Sequence, residues 1–426
     1  MVKATVLKSL FVKNVLKVST GTFLAQLLML IGMPIITRLY DKEIIGVYAL
    51  FVSTISITTS FVTLAYDTTI VLPKKDEDAN AVLKIALLFS FSFSFLIALI
   101  LYIPFDFFKE YKSIAVFIAI GTFFQVVVNS LGYFKIRYNL YSRLSTSKVL
   151  RNFVLLLFQV GLYYLSSQKG LILGFIIASV GTIFYLIYKD GNIQSGLFKW
   201  QNKVALYKNL ITYKEYPKYF CWSNLILALS AGLPVIIFNE YFSLTDVAIY
   251  SIAFSLIVQP AGLISSSIRP VLLSKLAQRK KNNQPILSIY NKVFYILLLS
   301  AIILSGIIFF VLPPIVVLVF GENWTESGNL TRFLIPVFIW YFISIPSSVS
   351  LKIYPFQKYA FYYTILCFLI TTTSLFLSIM LEGSFNMVVL VFSLTSLFLS
   401  FLNYLIVKRK IIKYEKLVFN ISENND

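Results

Sequence analysis

Long apolar stretches with almost no charge recur from one end of this chain to the other, and they constrain its fold more than any other feature. Hydrophobic residues make up 58% of the chain and charged residues 13%, against about 25% charged residues in an average soluble domain. A membrane-spanning helix needs about 20 such apolar residues. The pattern predicts an all-α polytopic membrane protein, and it excludes a soluble enzyme, a secreted disulfide scaffold and a disordered chain.

The apolar stretches predict twelve membrane spans. Runs of this length are too long for the strands of a membrane barrel, and a bilayer core requires every backbone polar group to be bonded internally, so the spans must be helices. The predicted spans cover 15–37, 44–72, 82–104, 114–134, 147–165, 171–188, 220–239, 247–272, 289–311, 329–351, 359–381 and 385–407.

The basic residues predict the orientation of the spans. Cytoplasmic loops carry an excess of lysine and arginine. When the loops alternate across twelve spans, 31 of the 37 basic residues fall on one side together with both termini. Lys148 and Arg151 belong to these 31. The six on the other side are Arg38, Lys42, Lys109, Lys112, Lys169 and Arg332. We therefore expect cytoplasmic termini, and this topology accounts for the net charge of +19 without nucleic-acid binding.

The histidine and cysteine content limits the catalytic and metal-binding chemistry that the chain can support. The chain has no histidine, which excludes histidine-based acid–base catalysis and histidine-ligated metals. Its two cysteines, Cys221 and Cys367, both lie in apolar runs, which is typical of small buried hydrophobes rather than of a zinc site or a disulfide framework. We expect no metal and no cofactor. The predicted outer loops are short, which argues against a membrane enzyme with an external catalytic loop.

The predicted domain organisation has four parts. They are an N-terminal six-helix lobe over 1–188, a cytoplasmic amphipathic linker over 189–219, a C-terminal six-helix lobe over 220–407 and a cytoplasmic tail over 408–426. The linker carries Leu197, Trp200, Val204, Tyr207 and Ile211 at helical spacing with lysines between them. This pattern predicts a basic amphipathic helix on the anionic inner leaflet. The alternative is a segment that binds a protein partner.

Two short patterns suggest that the halves are repeats. The letters GMPII at 32–36 in the first span match GLPVI at 232–236 in the seventh, and GVYA at 46–49 matches AIYS at 248–251. Two halves of six spans each would have the same orientation, with the substrate site between them. Pro34 and Pro234 would give the first helix of each half a bend. The alternative is the ordinary tolerance of proline in membrane helices.

Ionisable groups inside spans are costly and are therefore functional candidates. Asp67 is the acid most clearly inside a predicted span. The GVYA and AIYS segments are 202 residues apart, and the same offset relates Asp67 to Arg269 in the eighth span. We hypothesise that the two side chains approach each other when the inner side of a central cleft is closed. The alternative is that each residue pairs locally or extends to the interface by itself.

Further polar residues are candidates for substrate binding. Guanidinium groups match phosphate in a bidentate way, and amide side chains can bond to sugars. The candidates are Arg38, Arg332, Gln26, Gln125, Asn129, Asn224 and Gln259. For the arginines the alternative is an interfacial position, and for the amides it is a contact between helices.

The first 80 residues also resemble a known family. The matching segments are GTFLAQ (21–26), PIITRLY (34–40), IGVYAL (45–50), YDTTIVLPK (66–74) and DEDA (76–79). They are similar to the start of the polysaccharide-biosynthesis (Wzx-type) flippases, whose superfamily includes the multidrug (MATE) exporters and the peptidoglycan-precursor flippases. The resemblance implies a MATE-like fold of two six-helix lobes around a cavity that opens alternately to each side. A strongly basic cavity in the middle of the membrane is not evident from the sequence.

The resemblance also implies a function. We expect a flippase that moves undecaprenyl-diphosphate-linked oligosaccharide, for O-antigen, capsule or a similar surface polysaccharide, from the inner to the outer leaflet of a bacterial cytoplasmic membrane. Its partners would be the lipid-linked oligosaccharide, membrane lipids and other polysaccharide-assembly proteins. The alternative is a cation-coupled exporter of drugs or small lipids. Many MATE exporters use an acid in the first span, and none lies in the first span here.

Overall fold

The structure, a computed structural model, describes residues 2–103, 109–165, 168–188 and 203–423, with side chains described between Thr20 and Leu417 within these ranges. Leu197 and Trp200 of the predicted linker lie outside the described residues. The described ranges contain helices and turns and no strand, which confirms the all-α prediction.

Twelve long helices make up most of the described chain. They are α1 (Val2–Leu39), α2 (Lys42–Val62), α3 (Asp76–Leu101), α4 (Ala115–Arg137), α5 (Tyr141–Tyr164), α6 (Gly170–Ile187), α7 (Cys221–Tyr241), α8 (Leu244–Lys281), α9 (Leu287–Phe320), α10 (Ile335–Ile353), α11 (Gln357–Met380) and α12 (Phe385–Glu423). Of these described helices, eleven are long and apolar enough to cross a membrane, which confirms a polytopic membrane protein. The exception, α5, contains Arg143, Lys148 and Arg151.

The second predicted span is wrong at its C-terminal end. We predicted a helix to residue 72, but α2 ends at Val62, and Leu64 and Ala65 then adopt left-handed backbone angles that a helix cannot continue through. A 3₁₀ helix, Tyr66–Val71, follows before α3 begins at Asp76. Asp67 therefore lies in a buried turn between two spans, and the prediction that it lies inside a span is wrong.

The tenth predicted span is wrong at its start. Arg332 does not begin this span, because it lies in a separate short helix, Thr325–Phe333, and α10 starts only at Ile335. Pro336 occupies the first turn of α10, where a proline fits because the missing N–H group needs no partner in the helix.

The contacts divide the chain into two compact units, Met1–Ala248 and Ile249–Asp426. In the first unit α5 packs between α1 and α6, α3 packs on α4, and α7 packs on α2. The crossing of α5 and α6 is close, since a Cβ atom added to Gly174 would come within 2.7 Å of the Gln159 side chain. The predicted four-part domain organisation stays a prediction.

The helix boundaries follow the predicted repeat. α1 ends at Leu39 and α7 at Tyr241, while α2 begins at Lys42 and α8 at Leu244, so both boundaries recur at an offset of 202 residues. Pro34 lies inside α1 and Pro234 inside α7. The first helix of each half thus contains a proline in its last two turns.

The second unit is joined at one end by a buried carboxylate. Glu415 of α12 accepts hydrogen bonds from the backbone N–H group of Ile286 at 2.6 Å and from the Tyr354 hydroxyl at 3.0 Å. Ile286 caps the start of α9, and Tyr354 follows the last residue of α10. One side chain of α12 therefore joins the start of α9 to the end of α10.

Candidate functional site

The polar residues of α5 form the centre of the candidate site. Lys148, Arg151 and Asn152 are three or four residues apart, a spacing that places side chains on neighbouring positions of one helix face. Arg151 is the eleventh residue of α5, about 15 Å along the helix axis from Tyr141. The face that carries these residues packs against α1, α4 and α6, so its polar groups are bonded inside the unit.

Arg151 joins α5 to two other helices. Its Nη2 atom donates hydrogen bonds to the Oε1 atom of Gln125 on α4 at 2.5 Å and to the hydroxyl of Ser179 on α6 at 3.3 Å. Its guanidinium carbon lies 5.1 Å from the ring centre of Phe175, also on α6. Gln125 in turn donates to Asn129 at 2.9 Å. These contacts hold the charge in one place, which is a requirement for selective binding.

Lys148 and Asn152 attach α5 to α1. The ammonium group of Lys148 donates to the hydroxyl of Thr22 at 3.0 Å, and the amide of Asn152 donates to the carbonyl oxygen of Ala25 at 2.7 Å. The two helices can approach this closely because Gly21 has no side chain: a Cβ atom there would lie 1.9 Å from the Ser145 hydroxyl. Replacement of Gly21 by a larger residue would therefore separate α1 from Lys148.

A cavity of about 400 Å³ opens beside these groups, and we call it the α5 pocket. Its described lining carries two cationic side chains, an amide and several hydroxyl groups, with apolar residues between them, and it includes no carboxylate. The polar lining residues are Asn129, Tyr133, Ser147, Lys148, Arg151 and Thr182. A pocket with this lining attracts anions and repels cations, and its electrostatic interactions are strengthened where water is excluded.

A second cavity of about 420 Å³, the α1–α5 groove, lies between α1 and α5. Its lining is rich in hydroxyl groups and carries no charge, with Thr20, Gly21, Leu24, Ser142, Ser145, Thr146 and Val149 around it. Lys148 lines the α5 pocket and also bonds Thr22 on α1. A ligand with a charged part and a hydroxylated part would find both kinds of partner along this half of α5.

Asp67 lies close to the α5 pocket. Its carboxylate accepts a hydrogen bond from the Thr63 hydroxyl at 2.7 Å and interacts electrostatically with Tyr133, which lines the pocket. Burial raises the pKa of the Asp67 carboxyl above its ordinary value, and the hydrogen bond from Thr63 opposes this shift. Asp67 is therefore a titratable acid that adjoins the pocket in the described chain.

The structure brings two of the predicted site residues together, namely Gln125 and Asn129. In the first unit Gln26 and Asn224 are half-buried on α1 and α7, Pro234 is buried, and Arg38 is exposed in the last turn of α1. In the second unit Gln259 and Arg269 are half-buried on α8, and Arg332 donates to the Phe309 carbonyl oxygen at 3.1 Å and to Asn329 at 3.3 Å. The Asp67–Arg269 pair joins residues of the two units and stays a prediction.

Lys148 and Arg151 were not among the predicted site residues. They were counted with the basic residues of an inner connection, although the predicted fifth span begins at residue 147. Both lie inside α5 and line the pocket, so a cavity with two cationic side chains is present where no strongly basic cavity was evident. A signal for them existed. The fifth span combined low hydropathy with charges at positions 148 and 151 on one face, and a charge that faces neighbouring helices is a functional candidate.

No metal centre can be built from the described residues, since they contain no group of three cysteine, aspartate or glutamate side chains that could hold an ion. The site consists of hydrogen-bonding groups and fixed charges. Groups of this kind are suited to binding and orienting a polar molecule.

Comparisons with known proteins place the fold. Residues 35–329 match the family model described as "Polysaccharide biosynthesis protein". The lipid II flippase MurJ in an inward closed conformation superimposes with a TM-score of 0.72 at 13% identity, covering 95% of this chain and 92% of that one. A point mutant of the Vibrio cholerae MATE transporter VcmN gives a TM-score of 0.58 at 12% identity, covering 98% and 100%. No curated protein sequence matches the chain.

Proposed function

The chain belongs to the polysaccharide biosynthesis protein family, and from this premise we propose that it is a flippase that moves undecaprenyl-diphosphate-linked oligosaccharide between leaflets. The observation that carries the proposal is the α5 pocket, in which Lys148 and Arg151 lie beside amide and hydroxyl groups. A diphosphate is the anionic part of such a lipid. An arginine held by neighbouring side chains binds phosphate oxygens with little loss of conformational entropy.

The oligosaccharide would occupy the hydroxyl-rich surroundings. Asn129 and Thr182 in the α5 pocket, and Ser142 and Thr146 in the α1–α5 groove, offer donors and acceptors that match sugar hydroxyls. The similarity to the solved lipid II flippase supports a lipid-linked substrate here. The repeat unit carried would belong to O-antigen, capsule or a related surface polysaccharide.

The mechanism needs no bond to be made or broken. A flippase lowers the free-energy barrier for moving a charged, hydrated head group across about 30 Å of hydrocarbon. The pocket would replace the hydration of the diphosphate while the polyprenyl tail remains in lipid. Bending at Pro34 and Pro234 would let the cavity open alternately to each side, and we propose no enzymatic step.

The charge of the pocket favours this function over export of cationic drugs. A cation entering the α5 pocket would meet Lys148 and Arg151 at close range, which is unfavourable in a site of low dielectric constant. The positive charges would also accept a small anionic lipid. An experiment that identifies the accumulated lipid therefore distinguishes the two substrates. We place the protein in a bacterial cytoplasmic membrane with cytoplasmic termini, next to other polysaccharide-assembly proteins.

Gene deletion tests the proposal. We expect the deletion strain to accumulate undecaprenyl-diphosphate-linked oligosaccharide, measured by mass spectrometry of lipid extracts, and to lose surface polysaccharide. Complementation by the wild-type gene and by Arg409→Gln, an exposed arginine on α12, should restore both. A deletion strain without redundant flippases that keeps normal surface polysaccharide and accumulates no lipid intermediate would overturn the proposal.

A further inference from the structure

The helix Lys203–Thr212, which we call the surface helix, has one face that docks on the first unit. Its Asn209 amide donates to the Asp78 carboxylate at 3.0 Å, and the Tyr66 hydroxyl donates to the Leu210 carbonyl oxygen at 3.0 Å. Leu206, Leu210 and Tyr213 pack on the apolar cluster of Tyr66, Ile85 and Ala86. The helix is therefore held in one orientation.

The opposite face of the surface helix is apolar and exposed. Val204, Tyr207 and Ile211 are three and four residues apart, so they form one stripe, and they are 70%, 68% and 48% exposed. At 3.6 residues per turn, Lys203 and Lys208 lie on either side of this stripe. Both are exposed, and the Lys208 ammonium group also lies 3.9 Å from the Asp78 carboxylate. An apolar stripe flanked by lysines is typical of a helix that lies in a membrane interface.

The position of the surface helix agrees with an interfacial depth. Its docked face contacts α3 from Asp78 to Ala86, a length of about 12 Å along that helix. These are the first turns of a candidate membrane span, Asp76–Leu101. The exposed stripe therefore lies level with the end of a span, where head groups meet acyl chains.

We propose that the surface helix is an anchor for anionic lipid. Tyr207 and Ile211 insert between lipid head groups, while Lys203 and Lys208 bind the phosphate groups of anionic lipids around them. The occupant is the leaflet that surrounds the protein, because the charges of the helix complement an anionic surface and its depth matches the interface. The inference does not depend on which substrate is transported.

Lipid quenching tests the insertion. The full chain with Cys221→Ala and Cys367→Ala would carry one cysteine, Tyr207→Cys or Ile211→Cys, labelled with an environment-sensitive fluorophore and reconstituted into vesicles. We expect lipids with brominated acyl chains to quench both labels. A label at Asn282→Cys, exposed in the connection after α8, is the aqueous control and should not be quenched.

Vesicle composition tests the charge selectivity. We expect quenching at Ile211→Cys to increase with the fraction of phosphatidylglycerol in phosphatidylcholine vesicles. Lys203→Gln should raise the fraction needed for half-maximal quenching by roughly twofold, because each lysine near an anionic surface contributes to binding. Lys358→Gln, an exposed lysine at the start of α11, is the matched control and should leave the curve unchanged.

Two results would overturn the proposal. Equal quenching in vesicles with and without phosphatidylglycerol would remove the anionic selectivity. Absence of quenching in both kinds of vesicle would show that the surface helix does not insert into lipid. A disulfide between Tyr207→Cys copies would then identify a second copy of the chain as the occupant. Quenching and disulfide formation are both measured without transport. Their outcome is therefore independent of the test of the flippase function.

Discussion

The Arg151 guanidinium of α5 donates a hydrogen bond to the Gln125 side chain of α4, and this contact fixes a positive charge at the wall of the α5 pocket. The two residues are 26 positions apart in the chain and meet only because α4 and α5 pack in one unit. This charge is the main candidate for binding the diphosphate of the proposed substrate.

Removal of the Arg151 charge should abolish most of the transport. We expect Arg151→Gln to lower the rate of lipid-linked oligosaccharide translocation at least tenfold, since a hydrogen bond to a charged group contributes about 1.5–3 kcal/mol. Arg151→Lys should be intermediate, because it keeps the charge but loses the bidentate geometry. The rate would be measured in proteoliposomes. Arg409→Gln serves as the control, and equal rates for Arg151→Gln and the wild type would contradict a role for the pocket.

Ionisation of Asp67 should destabilise the first unit. Because its pKa is raised in the folded state, Asp67 binds its proton more tightly there than in the unfolded chain. Its contribution to stability is therefore fully present below the ordinary aspartate pKa of about 3.9 and is lost as the pH rises through the higher folded value. We expect the melting temperature of wild-type protein in detergent to fall across this range relative to that of Asp67→Asn.

Asp67→Asn removes the charge and keeps an oxygen that can accept the hydrogen bond from Thr63, but its amide nitrogen cannot accept from the backbone N–H groups of Asp67 and Thr68. The pH dependence of the difference, and not its absolute size, therefore reports the charge. The exposed Asp76→Asn is less suitable as a control because Asp76 pairs with Arg137 at 2.8 Å. Melting curves of the wild type and Asp67→Asn that change in parallel with pH would show that Asp67 is not the group responsible.

Gly46 should not tolerate a side chain. A Cβ atom at this position would come within 2.2 Å of the Leu244 carbonyl oxygen, and backbone atoms cannot move aside as a flexible side chain can. We expect Gly46→Ala to lower the free energy of unfolding by about 1–3 kcal/mol, the usual cost of overpacking. Gly161→Ala on α5 has open space around its Cβ position and should be neutral or stabilising by up to about 1 kcal/mol. Similar losses for both variants would show that the close approach at Gly46 has little energetic effect.

Glu415 should be needed for the stability of the second unit. Glu415→Ala would leave the buried Ile286 N–H group and the Tyr354 hydroxyl without their acceptor, at a cost of about 1–3 kcal/mol for each unsatisfied group. Glu415→Gln should cost less, because both bonds go to one carboxylate oxygen and an amide oxygen in the same position can still accept both. Thermal unfolding in detergent measures both. The neighbouring Lys416→Gln, exposed on the same helix, should change little.

Much of the fold could be predicted from the sequence because hydropathy is a local property. All twelve predicted spans correspond to long helices, and eleven of these described helices are apolar enough to cross a membrane. The C-terminal end of α2 could not be predicted. Its break depends on left-handed angles at Leu64 and Ala65, which are neither glycine nor asparagine and so give no signal of a turn.

The candidate site was only partly predictable for a related reason. Gln125 and Asn129 were identified as polar residues in a span. Asn129 lines the α5 pocket, and Gln125 forms hydrogen bonds with Asn129 and Arg151. Lys148 and Arg151 were counted with the inner loops, because a positive charge near the end of a span usually extends to the interface.

By itself the sequence determined the class of the protein, its helices and the excess of positive charge, since each follows from the composition of contiguous segments. Only the tertiary structure decided which way the polar face of α5 points. Lys148 meets Thr22 across 126 residues and Arg151 meets Gln125 across 26, and such contacts depend on how helices pack. Lys148 and Arg151 resemble loop charges in the sequence, but packing among α1, α4 and α6 makes them part of the pocket lining. They can lie there because hydrogen-bond partners inside the protein replace water.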